Sequence, residues 1–108
     1  MRQGPHPFTL RQLQYAVGVA EMLSFRKAAE RCRVSQPALS AQLAELEASL
    51  GVRLFERNRR SVLVTPAGAT LMAQARRLLV GADEFLQSAQ ASGEIGRASC
   101  RERVYSSV

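Results

Sequence analysis

The sequence predicts a mainly α fold: three short helices, a two-stranded hairpin and one long closing helix. Three observations predict it. Two capped helical segments meet across only Arg33–Val34. Two short β-rich runs then flank the basic tetrapeptide RNRR, Arg57–Arg60. Finally, Leu71, Ala75, Leu78, Ala82, Phe85 and Ala89 repeat at gaps of four and three.

At 108 residues the chain holds one domain at most, with a modest core. A formal charge of +6 and a pI near 10.6 imply attraction to polyanions, either nucleic acid or an anionic membrane surface. No run of about 18 apolar residues is present to span a bilayer. The start, MRQGPHP, has no long apolar signal region, so residues 1–8 are expected to be a flexible N-terminus and the address cytoplasmic. Cys32 and Cys100 make a poor disulfide framework. Glu94–Val108 (EIGRASCRERVYSSV) lacks an apolar period and does not read as more of the helix before it. It resembles the translation of a sequencing adapter, so residues 93–108 are set aside as a non-native tail and the original protein is expected to be longer. The remaining 12 basic and 7 acidic residues still give +5.

In chain order, Thr9 caps a first helix over about Leu10–Leu23. Leu10, Leu13, Ala16, Val17, Val19 and Ala20 face inward, and Arg11, Gln12, Gln14 and Glu21 outward. Ser24 caps a second helix, Phe25–Cys32, with Phe25, Ala28, Ala29 and Cys32 inside; its two alanines permit a close approach of helices. The turn lacks the usual glycine. The third helix starts at Ser35, a good N-cap, with Pro37 in the first turn, and Gly51 closes it as a C′ residue. Ala38, Leu39, Leu43, Leu46, Ala48 and Leu50 form its apolar stripe. Its first turns present Gln36, Ser40 and Gln42, and its acids, Glu45 and Glu47, come later. A helix with a polar, acid-free start points its N-terminus at something. Taken alone, an ordinary amphipathic core helix would read the same way. Helix, brief turn and second helix together make a helix-turn-helix pattern.

After Gly51, Val52–Glu56 and Ser61–Thr65 read as two strands, with Asn58 suited to the turn between them. The result is a winged helix-turn-helix with a two-stranded basic wing, expected along the DNA backbone or minor groove. Residues 9–66 form this domain. Thr65-Pro66 opens a last helix over 67–92, whose apolar gaps follow a period of 3.5. The seam, supplemented by Leu79 and Leu86, outruns so small a domain and is expected to join two copies; packing onto the first helix is the other use. Gly81 is a place for a local bend.

Catalysis has little support. His6 stands alone, Glu45 and Glu47 do not share a helix face, and no glycine-rich phosphate loop exists, so neither a metal nor a cofactor is expected. Two further readings stand beside specific DNA recognition. One is a non-specific architectural or RNA-binding protein using charge alone, against which basic residues concentrate in the wing and second helix while stacking aromatics are few. The other is a coiled-coil module, which leaves the turn, Pro37 and the wing unexplained.

The words LRQLQY (Leu10–Tyr15), SFRKAAE (Ser24–Glu30), VSQPALS (Val34–Ser40), LE and LG (Leu46–Glu47, Leu50–Gly51), RLFER (Arg53–Arg57) and TPAG (Thr65–Gly68) stand in register on these elements. Through them the chain, from about Thr9 to Gln90, resembles the N-terminal domain of LysR-type transcriptional regulators. The resemblance implies double-stranded DNA as partner, a homodimer joined by the linker helix, and a separate C-terminal domain, beyond these residues, for an effector ligand. It puts base reading on Gln36, Pro37, Ser40 and Ala41. Ala41 stands where many relatives carry arginine, which removes a guanine reader. Gln36 can pair with adenine, and Pro37 and Ala38 can meet thymine methyls. Arg57, Arg59 and Arg60 become wing contacts, with the caps Thr9, Ser24, Ser35 and Thr65 near the backbone. The setting of Cys32 is similar to the peroxide-responsive branch of the family, yet Cys32 itself reads as a small buried apolar residue.

Overall fold

The computed structural model describes residues 6–58 and 60–99; Arg59, residues 1–5 and residues 100–108, with Cys100, lie outside the described residues. The elements run α1 (Leu10–Met22), α2 (Phe25–Cys32), α3 (Gln36–Leu50), β1 (Phe55–Arg57), β2 (Val62–Val64) and α4 (Pro66–Ser99). Helices α1, α2 and α3 close on one core, centred on the fully buried Val19, Leu39, Leu46 and Leu54, and α4 lies against α1.

Local chemistry sets each boundary. Thr9 and Gln12 form a reciprocal capping box, and Ser24 and Ser35 accept the amide hydrogens of Lys27 and Ala38 at 3.1 and 3.2 Å. Three helices end in left-handed residues, of which only Gly51 (φ 70°) is a glycine; Leu23 (φ 52°) and Arg33 (φ 62°) hold that conformation with a side chain. Arg33 is therefore where the turn does without its usual glycine. Leu23 is half exposed, so little burial offsets a backbone cost of about 1–2 kcal/mol. Replacing Leu23 with glycine is expected to raise stability by about 1 kcal/mol in urea unfolding. A lowered midpoint would show that the contacts of the leucine outweigh its strain.

The helical faces differ from the sequence pattern at identifiable places. Gln12, expected outside, is 6% exposed, whereas Leu10, expected inside, is 48% exposed. A buried amide is tolerated only when its polar atoms are paired. The Nε2 of Gln12 donates to Gln42 Oε1 (3.0 Å) and Glu45 Oε1 (3.3 Å), and its Oε1 accepts from the Thr9 amide. Tyr15 joins the core, and Cys32 is only half buried. On α3 the stripe is Leu39, Leu43 and Leu46 with Leu50 at its edge; Ala38 and Ala48 are exposed, being turned about 100° and 180° away from Leu39 and Leu50's side of the helix.

The wing is shorter than its sequence runs. Its antiparallel register pairs Phe55 with Val64, Glu56 with Leu63 and Arg57 with Val62. Val52–Leu54 is a connector, pinned to α3 where one Glu47 carboxylate oxygen accepts the amides of Leu54 and of Phe55 at the start of β1, at 2.7 and 3.2 Å. At the tip Asn58 Oδ1 accepts from the amides of Arg60 and Ser61, both at 2.9 Å, closing the turn through its own side chain.

Helix α4 passes Gly81 unbroken and runs seven residues beyond the expected end at 92. Each glycine in this extension costs about 1 kcal/mol against alanine, which the surrounding helix formers tolerate. Its 34 residues span about 51 Å, more than the two shorter dimensions of the molecule, 35 and 22 Å. The apolar seam therefore divides. Ala75 is buried, Leu71 and Ala82 half buried, with Met72 and Leu79 beside them on the core. Leu78, Phe85, Leu86 and Ala89 are exposed. Ala75 and Leu71, read as dimer residues, instead serve the domain's own core, because α1 covers only the first turns of α4.

Candidate nucleic-acid interface

The start of α3 forms the first part of the surface. Leu39 anchors this turn in the core, leaving Gln36, Pro37, Ala38 and Ala41 exposed and Ser40 half buried. No acidic residue occupies the first turn, and Ser35 caps it. The helix dipole and the remaining unpaired amides thus face outward with no carboxylate opposing them. Gln42, expected on the same face, is drawn toward α1 by Gln12 and does not join it.

The second part comes from α2 and the wing. Ser24 and Arg26 of the α2 start, Gln36 of α3, and Arg57, Asn58 and Arg60 of the wing line one open groove. Three arginines and no carboxylate line it. Arg57 sits at the end of β1 with its guanidinium carbon 4.1 Å from the centre of the Phe25 ring. Phe25 in turn meets Phe55 edge to face, 6.4 Å between centroids. The fold therefore unites Gln36, Ser24, Arg57 and Arg60, four of the residues singled out in the sequence. Arg59, between them in the chain, is outside the described residues.

Three structural roles escaped the sequence. Gln12 ties the start of α1 to the middle of α3, and Glu47 ties the end of α3 to the wing. Phe25 carries Arg57. The spacing Thr9-x-x-Gln12 is a capping-box signal that could have pulled Gln12 off the solvent face. Nothing local announces the other two. Glu21, read as outward, bridges Arg31 at 2.7 Å and Arg76 at 3.6 Å, linking α1 to α2 and α4, though at exposed sites where such pairs contribute little. Among the described residues no cluster of three His, Cys, Asp or Glu could hold a metal, and no helix is long and apolar enough to cross a membrane.

A helix-turn-helix followed by a hairpin wing and a long helix defines the winged helix-turn-helix class. Residues 10–69 match the model of the bacterial regulatory helix-turn-helix proteins, lysR family. The chain belongs to that family. It is 48% identical over 90 residues to the HTH-type transcriptional regulator XapR of Escherichia coli K12, covering 82% of this chain and 31% of XapR. It is 47% identical over 85 residues to the DNA-binding transcriptional dual regulator OxyR of the same organism, covering 79% of this chain and 28% of OxyR. The chain thus spans less than a third of these relatives. Among solved structures it is similar to the BenM DBD in complex with catB site 1 DNA, with a TM-score of 0.76 and 38% identity over 80% of this chain and 97% of that one.

Proposed function

We propose that this chain binds double-stranded DNA sequence-specifically and regulates transcription, by binding and not by catalysis, at the nucleoid in the cytoplasm. The observation that carries this is the groove in which Gln36, at the exposed start of α3, meets Arg57 and Arg60 with no acid between them. Its likeness to the BenM DBD in a DNA complex supports the same reading. The α3 start enters the major groove, where Gln36, Pro37, Ala38, Ser40 and Ala41 face base edges. Ser24 and Ser35 lie against the backbone, and Arg57, Arg59 and Arg60 of the wing against the backbone or minor groove. Two copies join through the exposed part of the α4 seam, and an effector ligand acts through a further domain of the whole protein.

Anisotropy titrations of a cognate and a random duplex over a range of salt test this. The logarithm of the binding constant should fall steeply with that of salt, by about 0.9 for each phosphate neutralised. Replacing Gln36 with alanine should cost about 1–3 kcal/mol on the cognate duplex and relax preference at one base pair per half-site. Equal losses on cognate and random DNA would remove Gln36 from base reading.

A further inference from the structure

The wing is a short, two-stranded hairpin with little of its own to hold it. Each strand has three residues, and Leu63 at its middle is 60% exposed. What fixes its cationic end is the contact between Arg57 and Phe25. Phe25, the first residue of α2, is 8% exposed and braced edge-on by Phe55 of β1, so its ring is rigid. The guanidinium over it forms no ion pair or hydrogen bond to another described residue. An arginine over a ring face keeps its charge and its N–H donors, while losing freedom in its long side chain. A phosphate reaching it in the groove would find the donors already placed, with the ordering entropy already spent.

We infer that Phe25 is a positioning residue for DNA binding: its ring holds the Arg57 guanidinium as a preorganised clamp for a backbone phosphate. The clamp makes the wing and the start of α2 engage the backbone as one unit. This rests on the DNA-binding reading above and adds to it a residue that touches no DNA itself. Lysine at position 57 would carry the same charge without the planar head, so charge alone does not substitute.

The test is a double-mutant cycle on the 108-residue chain, titrated against a labelled random-sequence duplex, using Arg57→Ala, Arg57→Lys, Phe25→Leu and the two combinations. Unfolding of each protein is followed in parallel. Arg57→Ala should weaken binding by a factor about two- to fivefold larger in the wild-type background than in the Phe25→Leu background. It should also lower the salt slope by about 0.9 per Arg57 engaged. Arg57→Lys, which leaves the core untouched, should weaken wild-type binding with the unfolding midpoint nearly unchanged; this arm can still overturn the inference if Phe25→Leu fails to fold. Equal losses in both backgrounds, or Arg57→Lys binding as wild type, would overturn the inference while leaving DNA binding intact. Coupling in unfolding alone would make the ring contact structural, which also overturns it. Wild-type protein that ignores the duplex would overturn both the inference and the function beneath it.

Discussion

Replacing Gly68 with alanine is expected to destabilise the chain by about 3 kcal/mol, although the residue lies inside a helix. Helix propensity alone predicts the opposite sign, a gain of about 1 kcal/mol. The reversal comes from the junction of wing and α4. A Cβ on Gly68 would overlap the Leu54 carbonyl oxygen and come within 3.0 Å of both the Leu54 carbonyl carbon and Thr65 Oγ1. Neither neighbour can retreat cheaply. Leu54 is fully buried, and its carbonyl accepts the Thr65 amide at 3.0 Å. Thr65 Oγ1 accepts the Gly68 amide at 2.9 Å while donating to the Arg53 carbonyl at 2.6 Å. Gly81→Ala provides the contrast, because nothing lies within 4 Å of a Cβ there, and it should gain about 1 kcal/mol. Urea unfolding of the two variants measures both. Equal effects would mean that the junction is looser than its contacts indicate.

Replacing Leu78 with glutamate is expected to separate the proposed homodimer and to weaken binding to a two-half-site operator by about 10²–10⁴-fold, the loss that follows when two linked contacts become independent. Leu78 is 52% exposed and Phe85 77%, two helical turns apart on the seam, and neither packs against the core. Apolar groups of that size on a projecting helix have no partner within the domain's core. Glutamate is a good helix former, so the exposed substitution leaves the monomer intact. Ala75→Glu, by contrast, would place charge in the core and disrupt folding. Sedimentation of the Leu78 variant at a concentration where the wild type is dimeric gives the answer. An unchanged dimer would move the interface off this seam.

The extent to which the site was legible follows from the range of each interaction. Helix α2 was bounded correctly from Ser24, Phe25 and Cys32, and α3 from Ser35, Pro37 and Gly51, because caps and breakers act over one turn. The seam of α4 was visible as a period. How it would be shared could not be read, because Ala75 and Leu78 obey the same repeat while only α1 decides which is covered. Gln12 reads as solvent-facing and nothing around Glu47 announces its role, since their partners lie 30 and 7 residues away. The first strand reads too long for the same reason, because Glu47 takes the Leu54 amide, and the second because Ser61 belongs to the Asn58 turn and Thr65 caps α4. Leu23 and Arg33 show a third limit. Neither residue type signals a left-handed conformation, yet chain reversal between helices imposes it on both.

Specific recognition by two copies is tested by selection from a randomised duplex pool at moderate salt. The expected result is enrichment of an interrupted palindrome whose half-sites change when Gln36 is replaced. Salt-sensitive binding that enriches no sequence would contradict it and leave a protein that holds DNA by charge alone.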